Sequence, residues 1–187
     1  MTGGTARQYV YTTSSDFVMR NDGTTPSFKW LYGGTTQMTL DASGNLGLGV
    51  TPSAWSVNYK AIQSGNSSAF VGFSGNSQTF VVSNAYNDGS WKYREAAGAG
   101  YYAIQGVSNG VHSWFVAGSG AANAAITFTQ AMTLDASGNL GLGVTPSAWE
   151  STCRMLQLGA VGTVGRANSG QTQLGFNYFI NSSGQYI

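Results

Sequence analysis

Residues 38–55 of this chain read MTLDASGNLGLGVTPSAW, and residues 132–149 repeat the block without a change. The similarity continues past the block, since KAIQ at 60–63 corresponds to RMLQ at 154–157 at the same offset of 94 positions. Repeats of this kind govern the fold of the chain that contains them. We divide the chain into a partial β unit (1–37), the first repeat block (38–55), an aromatic-rich β unit (56–131), the second repeat block (132–149) and a second partial β unit (150–187), which we expect to be truncated. We expect the whole to be a piece of a longer fibrous protein.

The second half of each block alternates large apolar residues with glycine. Alternate side chains of a β-strand share a face, so Leu46, Leu48 and Val50 are predicted to lie together. Gly47 and Gly49 leave the opposite face as bare backbone. Glycine weakens a strand and usually marks a place where another backbone approaches closely, which we expect here. The equivalent apolar residues of the second block are Leu140, Leu142 and Val144.

The apolar face of this strand needs a partner. An isolated two-stranded hairpin is marginal in water, and burying each large apolar side chain contributes roughly 1.5–3 kcal/mol. A solenoid would cover the face by stacking neighbouring repeats, but only two blocks are present and they lie 94 positions apart. We favour the alternative, in which the same block from other chains packs about a common axis in a closed oligomer. The six apolar side chains named above are the candidate interface residues.

The composition excludes several classes of function. Charged residues make up 8% of the 187 residues, the net charge is +1, and Lys and Arg form no cluster. Binding to a phosphate backbone or an anionic membrane depends on clustered basic residues, so we expect neither as a partner. Cys153 is the single cysteine and cannot form an intrachain disulfide. No apolar run approaches the roughly 18 residues of a membrane-spanning helix.

The chain is predicted to be almost entirely β-structure. Segments rich in β-branched and aromatic residues predict strands at 16–19, 28–32, 69–73, 79–83, 101–105, 111–117 and 126–134. Turn dipeptides separate them at Asp22-Gly23, Gly75-Asn76, Asp88-Gly89 and Asn109-Gly110. The one helical signal is TPSAW, at 51–55 and 145–149. Because Thr can cap a helix and Pro is tolerated at its first position, we expect a single helical turn there.

The repeated block resembles a segment of the type L-D-x-x-G-N-L-G-I-G-T-x-x-P that recurs in tail fibre and tailspike proteins of bacteriophages. The resemblance covers 38–55 and 132–149 closely, and the aromatic, glycine-rich segments between them only in style. It implies an all-β, elongated homotrimeric fibre with repeated β-hairpin blocks and a small β-domain between them. Such a fibre belongs to the virion, is assembled in the host cytoplasm, and joins other phage tail proteins to a glycan or protein receptor on the host surface.

No catalytic or metal centre is evident in the sequence. The seven acidic residues are Asp16, Asp22, Asp41, Asp88, Glu95, Asp135 and Glu150. Glycoside hydrolysis needs two carboxyl groups roughly 5–9.5 Å apart, whereas most of these carboxyls lie beside turn glycines, where Asp bonds local backbone. A trimer interface could still assemble a pair from different chains. His112 and Cys153 are two of the roughly four ligands of a zinc site, although three copies of His112 could meet on a three-fold axis. We predict no catalytic residue, no metal and no cofactor.

The recognition surface is predicted in the aromatic and charged stretch around 92–100, which we interpret as a loop. The candidate binding residues are Trp91, Lys92, Tyr93, Arg94, Tyr101 and Tyr102. Flat amphipathic rings beside polar groups suit a sugar ligand, and binding residues gather on loops of a rigid scaffold. Packing in the core is the default interpretation for the rings, and the binding surface is the rival to it. Two other functions stay open: a polysaccharide depolymerase, which needs a carboxylate pair, and a purely structural fibre spacer.

Overall fold

The computed structural model of the chain describes residues 8–13, 17–21, 26–105, 110–166, 172–176, 183 and 185. Within these ranges it contains strands and no helix. The strands are β1 (Gln8–Thr12), β2 (Phe17–Asn21), β3 (Phe28–Tyr32), β4 (Thr35–Leu40), β5 (Leu46–Leu48), β6 (Tyr59–Ser64), β7 (Ser68–Phe73), β8 (Gln78–Ser83), β9 (Ala85–Asn87), β10 (Trp91–Tyr93), β11 (Ala99–Gln105), β12 (Val111–Ala117), β13 (Thr129–Leu134), β14 (Leu140–Leu142), β15 (Arg154–Leu158), β16 (Gly162–Arg166) and β17 (Thr172–Phe176).

Thirteen strands form one mixed sheet, in the order β17-β16-β15-β14-β13-β12-β11-β8-β7-β6-β5-β4-β3. The pairs β1–β2 and β9–β10 form two smaller sheets. The all-β prediction is confirmed, and the strands expected at 28–32, 69–73, 79–83, 101–105 and 111–117 lie within observed strands. The strand expected at 126–134 begins later, at Thr129. Asp16, Asp22 and Asn109 lie outside the described residues, and no helix in the described part is long and apolar enough to cross a membrane.

The sheet has an inward face, which the same chain covers. Val71 and Val82 are fully buried on this face, in register with Phe80 and neighbouring small residues. The β9–β10 pair packs over them, and Tyr86 and Tyr93 belong to the same buried cluster. A smaller cluster made of Trp149, Cys153 and Met155 covers the region of the second block.

Two connections in the main sheet are parallel, and both follow a repeat block. β5 pairs with β6, and β14 pairs with β15, in parallel, while the other neighbours are antiparallel. A parallel pair cannot be joined by a tight turn. The chain therefore crosses over the inward face through 49–58 and 143–153, which carries Trp55 and Trp149 into the buried clusters.

The helical turn predicted at 51–55 and 145–149 is wrong. In a helix the Trp55 amide would donate to the residue four positions earlier, but it donates to Ser53 O at 2.8 Å. The Ser53 amide in turn donates to Gln63 Oε1 at 2.9 Å. Ser147 and Gln157 form the same bond at the same distance in the second block. A side chain ten positions away therefore holds this segment in a non-helical conformation.

Asn45 connects the block turn to the next strand. Asp41 Oδ1 accepts hydrogen bonds from the amides of Ser43 and Asn45, at 2.9 and 2.8 Å. The fully buried Asn45 side chain donates to Asp41 Oδ2 and accepts from the Ala61 amide at 3.0 Å. The second block repeats this network with Asp135, Asn139 and Met155. The expectation that Asp41 and Asp135 bond their own turns is confirmed.

Gly47 is required by a close approach of backbone from the same chain. A Cβ atom at this position would lie 2.1 Å from the carbonyl oxygen of Val50 and 2.9 Å from Pro52 Cδ. Gly141 meets Val144 in the same way, also at 2.1 Å. The close approach is therefore present at Gly47 and Gly141, where the crossover that follows the strand supplies it within one chain. The same expectation is wrong at Gly49, whose Cβ position has no neighbour within 4 Å.

Candidate functional site

The outward face of the sheet carries a continuous row of apolar and aromatic side chains, here called the apolar row. It crosses eleven strands that are neighbours in the sheet, from β3 at one end of the row to β15 at the other, with one residue on each strand. Each of these residues is the registered partner of the next. Its members are Phe28, Leu40, Leu46, Ile62, Phe70, Val81, Tyr102, Trp114, Met132, Leu142 and Leu158. No segment of the described chain covers the middle of this row.

Exposure is greatest at the centre of the apolar row. Phe70 is 54% exposed, Val81 52% and Ile62 48%, although they are direct neighbours on three adjacent strands. A shallow groove of about 600 Å³ follows the row at this point, with Trp114 and Val116 on its far side. Contiguous exposed apolar surface of this kind marks sites of association in water-exposed proteins.

The predicted interface residues divide into two groups. Leu46 and Leu142 belong to the apolar row, and Leu48 and Leu140 lie on the same face, with Leu48 41% exposed. Val50 and Val144 lie outside these strands, so their side chains do not follow the strand alternation onto that face. Both strands end two residues earlier, because Gly49 and Gly143 adopt left-handed φ values of 66° and 67° and turn the chain into the crossover. The prediction that Val50 and Val144 continue the strand face is therefore wrong.

The predicted binding residues do not form one loop. The stretch 92–100 contains the end of β10 and the start of β11, so only 94–98 lies outside strands. Trp91 and Tyr101 stack at 5.2 Å between ring centroids on the inward face, and Tyr93 is 7% exposed. Tyr102 points to the opposite face, where it packs against Trp114 and hydrogen-bonds His112. The loop interpretation is wrong. These contacts agree with the default interpretation that the inward rings pack in the core, while a binding role stays a prediction.

Burial perturbs the tyrosines of this inward aromatic cluster. Desolvation, with a smaller contribution from the neighbouring Tyr59, raises the pKa of Tyr101 to about 12. Burial also raises the pKa of Tyr59. Both phenols are therefore neutral packing groups at ordinary pH, and neither is prepared to act as a general base.

The two charged candidates beside this cluster differ in their surroundings. Lys92 Nζ lies 2.7 Å from Asp88 Oδ2, and the hydrogen bond holds the pKa of that carboxyl below its usual range. The Arg94 guanidinium forms no ion pair with any residue that the structure describes. Of the two cations Lys92 and Arg94, Arg94 is thus the one that is available to a ligand.

Among the residues that the structure describes, no group of side chains is placed together as a catalytic or metal-binding site. Asp41 and Asp135 are occupied by their own turns, and Asp88 by Lys92. Cys153 is buried in the second-block cluster. Among the described residues, no group of three or more His, Cys, Asp and Glu side chains is placed to hold a metal ion.

The sequence reasoning missed the most exposed members of the apolar row. Ile62, Phe70 and Val81 lie outside the repeat block, which drew attention to Leu46 and Leu48. The signal was present as adjacent apolar pairs, Phe70-Val71 and Val81-Val82. Such pairs are typical of strands that are covered on both faces.

Comparison of the chain with protein-family models, with curated protein sequences and with solved structures found no match.

Proposed function

We propose that this chain is a non-enzymatic segment of a trimeric phage tail fibre that attaches the virion to the host surface, and that the apolar row is its chain–chain interface. The exposed apolar row is the observation that carries the proposal. The resemblance of the block to phage fibre segments supplies the number of chains and the biological setting. Other phage tail proteins and a host glycan or receptor are the further partners.

The exposure of the row supports self-association, since Ile62, Phe70 and Val81 are each about half exposed on adjacent strands. A chain in a closed trimer contacts two neighbours, and a standard interface covers about 800 Å² on each partner. Neutral Ser64, Ser68 and Ser83 flank the centre of the row on this face, and the exposed Lys60 lies two residues from Ile62.

Oligomeric mass in solution tests the proposal. We expect light scattering to give three times the chain mass at micromolar concentration. Phe70→Lys should dissociate the assembly, because it places a charge in the centre of the apolar row. Val57→Lys is the matched control, since Val57 is 79% exposed in the crossover and lies away from the row. A folded wild-type monomer, or equal effects of the two lysine variants, would contradict the interface.

Attachment is tested separately from assembly. Labelled wild-type trimer should bind cells of a susceptible strain in a bacterial panel, and the Phe70→Lys monomer should bind at least about tenfold more weakly because avidity is lost. A trimer that binds no strain would contradict the attachment role and favour the alternative of a purely structural fibre spacer. Release of reducing ends from host polysaccharide would instead reveal the depolymerase.

A further inference from the structure

A depression of about 300 Å³ lies between the first crossover and the bend that follows β10. Its walls are formed by Thr51, Pro52, Ser53, Ala54, Tyr86, Arg94 and Asn123. It shares only Arg94 with the binding residues predicted from the sequence. It is separate from the apolar row, whose groove has a different lining.

Two buried polar atoms in this depression have no hydrogen-bond partner in the described part of the chain. They are Arg94 Nε and Ser53 Oγ. Buried polar groups are nearly always paired, so an unpaired one calls for an explanation. An arginine presents a planar fork of donors that matches a carboxylate through two parallel hydrogen bonds. The unpaired Nε of Arg94 and the unpaired Ser53 hydroxyl belong to residues that line the same depression, and an arginine there is suited to a carboxylate ligand.

Hydrogen bonds from two side chains, Asn84 and Gln63, fix both walls before any ligand binds. Asn84 is buried, and its amide group donates to the carbonyls of Glu95, Ala97 and Gly98 at 3.0–3.1 Å. It also accepts from the Glu95 amide at 2.8 Å, which closes the bend around Arg94. On the opposite wall, Gln63 holds the Ser53 amide. A site held in this way loses little conformational entropy on binding.

We infer that this depression binds the carboxylate of an acidic sugar. Its volume lies at the small end of ligand pockets and suits a single hexuronate ring. Arg94 would hold the carboxylate, while Ser53 and Thr51 hydroxyls and the Asn123 amide bind ring hydroxyls. Tyr86 donates to Asn123 Oδ1 at 2.8 Å and so orients that amide. A phosphate dianion is a poorer match, because the second nearby cation, Lys92, is paired with Asp88.

The inference rests on the attachment role proposed above. Binding of a soluble monosaccharide tests the carboxylate site without depending on attachment to cells. Sodium D-glucuronate is titrated into the wild-type chain while the Arg94 Nε–H resonance is followed by NMR, with D-glucose and sodium acetate as comparison ligands. We expect saturable binding of glucuronate in the millimolar range, and binding of glucose and acetate at least about tenfold weaker. Loss of cell attachment with glucuronate binding intact would overturn the attachment role and leave this site standing.

Paired variants complete the test. Arg94→Gln should raise the Kd for glucuronate at least about tenfold. Ser53→Ala should also weaken binding, whereas Ser147→Ala should not, because Ser53 lines the depression with Arg94 and Ser147, at the same position of the second block, does not. Equal binding of glucose and glucuronate, equal binding of acetate, or an unchanged Kd in Arg94→Gln would overturn the inference. Should Arg94→Gln fail to fold, identical Kd values for the two serine variants would overturn it instead.

Discussion

Replacing Gly47 with Ala should destabilise the fold of the single chain, independently of any assembly. The new Cβ would lie 2.1 Å from the Val50 carbonyl oxygen, whereas ordinary contacts begin near 3.4 Å. The crossover would have to move by more than 1 Å, yet it is fixed by the Gly49 amide, which donates to Gln37 O at 2.7 Å. Overpacking of this kind costs about 1–3 kcal/mol, and a weakened hydrogen bond adds about 0.5–1.5 kcal/mol. We expect a total loss of about 2–4 kcal/mol.

Thermal unfolding followed by circular dichroism, at one protein concentration, measures this loss. For a chain of this length, 1 kcal/mol corresponds to about 2–4 °C in Tm, so Gly47→Ala should lower Tm by roughly 5–15 °C. Gly118→Ala is the matched control, because Gly118 has an ordinary φ and open space around its Cβ position. There alanine should stabilise the chain by about 0.4–1 kcal/mol. A Tm for Gly47→Ala equal to or above that of Gly118→Ala would refute the reasoning.

Asn45→Ala should cost about 2–4 kcal/mol in urea unfolding, because it leaves the Ala61 amide buried and unpaired, while exposed Asn58→Ala should be neutral. Stability should fall as the pH rises from about 10 towards 12, because the pKa of Tyr101 is higher in the folded chain, at about 12, than in the unfolded chain. The stability associated with the neutral phenol is complete below the unfolded pKa and is lost as the pH rises through the folded pKa. Tyr101→Phe should flatten this fall. Lys92→Met should raise the pKa of Asp88 towards its usual value in an NMR titration, because the ion pair with Lys92 stabilises the ionised carboxylate. The stability that this ion pair contributes is present above the unfolded pKa of Asp88 and is lost as the pH falls through the folded pKa. An unchanged Asp88 titration would show that Lys92 has no influence on that pKa.

Local patterns predicted the strands well, since β-branched and aromatic runs matched β3, β7, β8, β11 and β12. They failed where a distant side chain decides the conformation. TPSAW has the capping signals of a helical turn, but Gln63 captures the Ser53 amide and the crossover stays extended. Nothing in the local sequence of 51–55 shows that competitor.

The candidate site was only partly predictable for a related reason. Which face of a strand is covered depends on what packs over it, and the β9–β10 pair covers the inward rings after a turn that the sequence does predict at Asp88-Gly89. Trp91 and Tyr101 therefore pack in the core, as the default interpretation of these rings predicts, although the polar residues beside them also suggested a binding surface. Arg94 was identified, but its partners across the depression come from the block and from Asn123, which are distant in sequence.

The spacing of the two blocks within the sheet gives the chain a built-in length scale. β5 and β14 are seven places apart in the strand order, and strands lie about 4.8 Å apart, so one repeat of 94 residues advances about 34 Å along the sheet. Both blocks leave by the same parallel junction and the same crossover. A further unit could thus be inserted or removed without any new kind of contact, and the distance between successive copies of any surface feature would be set by strand spacing alone.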